Sequence, residues 1–288
     1  MKYVIANVGC LLGSIFVAVF LGVPLWLSIT IFVVFAAWTN ILLVRQKPSP
    51  TKVSRKSGPL ASLISIVLLG WAVLDHHNRQ TDKRGLEAFS KGKTAYDASD
   101  YPTAQKQFAE SLAFADKSGS GEGQCKSAKD LGYSYMGQGE SGNAEQAFST
   151  ATTNCVSYDD PSALVESYAA IGTIRQSGRD YQGADSALQK ALDIAHNKLK
   201  PEDPQVAIVL NDLGALKRAQ GNCSDAESLS RQALVIWEHA LGPDGREAPV
   251  ALSAYNNLGQ ALACEGKLAE AEAAYRKSET GPPLHSNK

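Results

Sequence analysis

Acidic residues are missing from the first 74 positions, which hold six basic ones: Lys2, Arg45, Lys47, Lys52, Arg55 and Lys56. The rest of the chain holds 22 basic and 29 acidic residues, so the overall charge of −1 averages a +6 part and a −7 part. A −7 segment excludes duplex nucleic acid as the natural partner, because phosphate calls for clustered cations. Signatures of catalysis are missing too. The sequence has no glycine-rich phosphate loop, no nucleophile elbow and no His-Glu pair at metal-ligand spacing. His196, His239 and His285 are isolated, and Glu202-Asp203 stands beside a proline as turn chemistry. Adjacent histidines such as His76-His77 point apart on a helix, which favours a solvated neck over a metal site. No enzyme activity, metal or cofactor is expected.

Charge of either sign is missing from Tyr3 to Val44, more than forty residues. One membrane-crossing helix needs about 20 apolar residues. Gly22-Val23-Pro24 interrupts the run, and proline removes a helix donor. Residues 1–44 are therefore expected to form a transmembrane hairpin, with spans near 3–22 and 25–44. A cleaved signal peptide is the rival, but the run is too long and no small-residue cleavage motif closes it. Residues 45–58 (RQKPSPTKVSRKSG) carry five positive charges and no acid. They are expected to be a basic cytoplasmic loop, with contact to anionic lipid as a second reading. Residues 59–74 (PLASLISIVLLGWAVL) are read as a third transmembrane helix, the alternative being a segment lying flat. Residues 75–84 form a polar neck. A third crossing would place everything after it on the non-cytoplasmic side. The expected localisation is integral to the plasma or inner membrane.

From residue 85 the chain repeats itself. A glycine recurs at Gly92, Gly132, Gly172, Gly214 and Gly259, at spacings of 40, 40, 42 and 45. Twelve positions later stand Ala104, Ala144, Ala184, Ala226 and Ala271. Four beyond these are Phe108, Phe148, Leu188, Ser230 and Tyr275, and seven beyond are Ser111, Ala151, Ala191, Ala233 and Ser278. Each repeat thus predicts two helices joined by a polar turn such as GQGESGN or RQSGRDY. Small residues let the two backbones approach, and a larger one fills the gap. The expected repeats lie near 85–117, 125–157, 165–198, 207–241 and 252–280. KSGSGEGQ (117–124) and residues 158–161 read as linkers. Gly281-Pro282-Pro283 ends the last helix, and 281–288 is expected to be a disordered tail.

Leu131-Gly132-x-x-Tyr135 followed by Ala144-x-x-x-Phe148 and Ala151 resembles the tetratricopeptide repeat (TPR). Leu241-Gly242-Pro243-Asp244 and Asn256-Asn257-Leu258-Gly259 resemble the kinesin light chain subclass. The repeats are longer than the roughly 34 residues of the standard unit, and Ala128 stands where an aromatic is usual. The resemblance implies an all-α fold: N-terminal transmembrane helices, then a TPR α-solenoid of about five helix pairs. It also implies a concave groove, lined by the first helices, that binds a protein or peptide partner. On the family's pattern the groove residues are Tyr133, Glu166, Gln176, Asn211, Asp212, Arg218, Asn256, Asn257 and Gln260. Asparagine donates and accepts at once, so a row of them can clamp a peptide backbone. Phe89, Lys129 and Ala169 depart from that row. The expected function is a membrane-anchored, non-enzymatic scaffold for protein–protein interaction. The alternative is a self-associating assembly factor, a homo-oligomer.

Five cysteines remain to be placed. Cys125 and Cys155 fall where the start of one helix meets the end of its partner. Cys223 and Cys264 fall at adjacent turns. Both pairs are candidate disulfides, which would call for an oxidising compartment; small buried hydrophobes are the other reading.

Overall fold

The computed structural model describes residues 58–241 and 249–280. Ten helices and no strand occur among the described residues. They are α1 (Gly58–Asp97), α2 (Tyr101–Ser118), α3 (Gly121–Gly137), α4 (Ser141–Tyr158), α5 (Pro161–Ser177), α6 (Tyr181–Lys198), α7 (Pro204–Ala219), α8 (Cys223–Leu241), α9 (Pro249–Cys264) and α10 (Leu268–Thr280).

The chain divides into two compact units, Met1–Gln80 and Thr81–Lys288. The described part of the first is the start of α1. Its Trp71 and Leu74 are exposed. The expected hairpin at 1–44 and the basic loop up to residue 57 lie outside the described residues. So does the tail at 281–288.

The expectation for residues 59–74 is corrected. They are helical, but they open a helix of 40 residues that runs on through the polar DHHNRQTDKR to Asp97. Sixteen apolar residues fall short of the ~20 that a crossing needs. Among the described residues no helix is long and apolar enough to cross a membrane. The expected localisation, integral to a membrane with the repeats on the non-cytoplasmic side, is overturned with it.

The second unit is an all-α repeat solenoid. The repeated turn is visible in the backbone: Ser99, Gly139, Arg179, Gly221 and Gly266 all have positive φ, between 59° and 83°. Each stands seven positions after the recurring glycine. Left-handed backbone is open to glycine and costs other residues roughly 1–2 kcal/mol, so Ser99 and Arg179 hold it at a cost. Several helix starts are capped by short polar side chains. Asp160, Asp180 and Asp203 each accept from a backbone N–H in the following turn, at 2.9 Å. The expected linker at 117–124 is shorter than its composition implies. Gly119 turns the chain at φ 74°, Ser120 caps the next helix, and α3 begins at Gly121.

Packing follows the rows of small residues. Ala104, Ala144, Ala184, Ala226 and Ala271 are all buried. A Cβ at Gly92, Gly132 or Gly259 would sit within 2.9 Å of the rings of Phe108, Phe148 or Tyr275; at Gly172 it would meet Leu188 at 2.6 Å. In the fourth repeat Ser230 replaces the large residue, and its buried Oγ has no hydrogen-bond partner among the described residues. Two disulfides join the four cysteines among the described residues. Cys125 of α3 is bonded to Cys155 of α4, with Cα atoms 4.7 Å apart. Cys223 of α8 is bonded to Cys264 of α9, at 5.8 Å.

Candidate partner-binding groove

The first helices of successive repeats, α3, α5, α7 and α9, pack on one another as well as on their own partners. The second helices show no such mutual packing of comparable extent among the described residues. The first helices therefore form the inner layer. Their heptad-spaced positions line one face of it.

That face is tied together across repeats. Lys129 of α3 donates to Glu166 of α5 at 2.6 Å. Gln205 of α7 donates to the other oxygen of Glu166 at 2.8 Å, and also to Ser162. Asn257 of α9 donates to the side-chain oxygen of Asn211 on α7 at 3.0 Å. Lys93 of α1 stands 3.8 Å from Asp130 of α3. A cleft of about 220 Å³ opens among Phe89, Lys93, Lys129, Asp130, Ser162 and Glu166. A second cavity of about 450 Å³ lies at the turns, where Arg175 is already paired with Glu145 at 2.7 Å.

Electrostatics on this face are governed by burial. Tyr133 packs its ring edge-on against Phe148, centroids 5.0 Å apart. Burial pushes its hydroxyl well above the usual phenol range, helped by the fields of Glu166, Asp130, Tyr96 and Asp212. Burial likewise raises the Asp130 carboxyl, against the pull of Lys129 and Lys93. The Asp212 carboxyl is pushed up to about 7 by burial. It is half-buried and keeps some accessible surface.

Of the residues expected in the groove, the structure brings Glu166, Asn211 and Asn257 into bonds between repeats. Tyr133 and Asp212 share one electrostatic field. Asn211 pairs with Asn257 rather than running in a row with Asn256. Gln176, Asn256 and Gln260 are half-buried on their first helices, and Arg218 has its Nε buried without a hydrogen-bond partner among the described residues. Lys129, Gln205 and Ser162 were missed. Lys129 was read as a departure from the asparagine row. Gln205 was hidden in a proline turn, although it precedes Asp212 by seven positions and so shares its helix face. Among the described residues no His, Cys, Asp and Glu side chains gather to hold a metal.

Comparison with known proteins supports the repeats. Residues 163–239 match one tetratricopeptide-repeat family model and residues 251–278 another. The chain thus carries tetratricopeptide repeats in its later part. Searching curated proteins gives no significant match. Among solved structures the chain is similar to BtubC (BKLC) from P. vanneervenii, at 16% identity, covering 72% of this chain and 89% of that one, with a TM-score of 0.57. It is similar to a putative kinesin light chain from Podosopora anserina, at 17% identity, covering 67% and 92%, with a TM-score of 0.54. It is also similar to a Rap protein complexed with Competence and Sporulation Factor, at 16% identity, covering 67% and 52%, with a TM-score of 0.57. At these identities the likeness is one of fold.

Proposed function

We propose that this chain is a non-enzymatic scaffold whose first-helix groove binds an extended peptide or a protein segment. The observation that carries the reading is the face shared by four first helices. Polar side chains there are half-buried and linked from repeat to repeat, at Lys129–Glu166–Gln205 and at Asn211–Asn257. Such groups are held in place yet keep donors and acceptors for a backbone laid across them. Repeat solenoids present long surfaces of this kind because each repeat adds one more helix to the same face. A protein of similar fold was crystallised complexed with the Competence and Sporulation Factor, which adds support by analogy of fold only.

The test is comparative affinity capture from cell extract. Wild type and the Asn211→Ala/Asn257→Ala variant are used side by side, with both confirmed folded by circular dichroism. Loss of the same captured species from the variant supports the groove. Equal recovery argues against it.

A further inference from the structure

We propose that Asp212 is the anchor in this groove for a cationic side chain, lysine or arginine, of the bound partner chain. The inference rests on the groove reading and names the chemistry of its occupant. Asp212 stands seven residues after Gln205 on α7, so the two side chains leave the same face of the helix. Gln205 is tied to Glu166 and Ser162 on α5, both of which line the cleft of about 220 Å³. The field of Asp212 reaches Tyr133, two repeats away on α3, along with those of Glu166 and Asp130. Asp212 is half-buried, so it keeps some surface open to solvent.

Four other charged groups on this face are paired between repeats. Lys129 is bonded to Glu166, and Lys93 stands against Asp130. The Asp212 carboxylate has no hydrogen bond or ion pair among the described residues, and burial is the one cause that perturbs it. A carboxylate crowded by protein and left alone is costly, and a fold gains nothing from keeping it there. A cation arriving from outside removes that cost at the moment of binding. An acidic segment would meet Asp212 with like charge. The net −7 of residues 75–288 also draws cationic chains at long range. A lone carboxylate, with no ligand cluster around it, does not suit a metal ion instead.

The test uses the full chain and three short fluorescein-labelled peptides of alternating Ala-Lys, Ala-Gln and Ala-Glu, read by fluorescence anisotropy. The expected result is tightest binding of the lysine peptide. Asp212→Asn should weaken that binding about tenfold, a little over 1 kcal/mol, while the glutamine peptide is unaffected. Glu279→Gln makes the same charge change on an exposed residue at the far end of α10 and should change nothing. Equal weakening by Asp212→Asn and Glu279→Gln would show general charge attraction and overturn the proposal. So would a lysine peptide that binds no better than the glutamine one. In that second case a drop in glutamine-peptide binding with Asn211→Ala/Asn257→Ala leaves the groove standing without its cationic anchor. Binding of no peptide, with the chain instead doubling its mass in sedimentation, also overturns the anchor; the capture experiment then decides the groove separately.

Discussion

Phe148 lays its ring directly on Gly132. A Cβ added at that glycine would come within 2.9 Å of three ring carbons, and Phe148 has no exposed surface into which to retreat. The glycine on the first helix and the ring on the second are one packing device, repeated through the solenoid with Phe108, Leu188 and Tyr275 in the ring's place. In the fourth repeat the device is relaxed. A Cβ at Gly214 meets the Ser230 Oγ at 3.2 Å, the Ala226 carbonyl oxygen at 3.3 Å and the Leu229 Cβ at 3.5 Å, and none closer.

Two substitutions of the same kind should therefore differ. Gly132→Ala is expected to destabilise the fold by roughly 1–3 kcal/mol, as overpacked cores do. At Gly214 the small strain is offset by the better helix propensity of alanine, about 1 kcal/mol, so the substitution should be close to neutral. Urea denaturation of both variants measures this. Equal losses would contradict the packing device.

Arg179 turns the third repeat at φ 64°, where three other repeats use glycine. Arg179→Gly should relieve the left-handed strain, less the extra freedom glycine has when unfolded. A net gain of roughly 0.5–1 kcal/mol is expected by the same denaturation. A loss would mean that the side chain itself holds the turn.

The repeat frame was legible because its residues act at fixed distances. The glycine, alanine and ring positions are counted along the chain, and the turns with positive φ follow them at the same period. The cysteine pairs were legible for the same reason: helix pairs bring fixed positions together. What escaped was set by neighbours that counting does not see. Lys129 broke the expected asparagine row, yet it reaches Glu166 one repeat away. Asn257 rather than Asn256 turned toward Asn211, since one residue along a helix swings a side chain by about 100°. The helix running on from 59–74 through the polar neck to Asp97 was legible, because no proline interrupts it. The crossing was not, because sixteen apolar residues fall short of the ~20 that one needs.

Burial raises the Asp212 carboxyl from 3.8 to about 7. A carboxyl that holds its proton more tightly when folded favours the folded state at low pH. That contribution is complete below 3.8 and is lost as pH rises through about 7. Asp212→Asn, which stays neutral, should raise the melting temperature relative to wild type more at pH above about 8 than near pH 4. A variant less stable at the higher pH would mean that Asp212 serves the fold and not a partner.

Cys125–Cys155 and Cys223–Cys264 close loops with sequence separations of 30 and 41. In the chain-entropy account each such link restrains the unfolded chain by roughly 3–4 kcal/mol. Under denaturing, non-reducing conditions the five cysteines should show one reactive thiol, that of Cys10. Reduction should then lower the melting temperature. Five reactive thiols in unreduced protein would contradict both bonds.

The groove itself is tested most directly by site-specific photocrosslinking. A photoreactive amino acid is placed at Gln260 on α9 and, separately, at the exposed Gln189 on α6, and each protein is illuminated in cell extract. The expected result is a discrete adduct from position 260 that competes away with unlabelled wild type, and none from position 189. Adducts of equal yield from both positions, or from 189 alone, would contradict partner binding on the first-helix face.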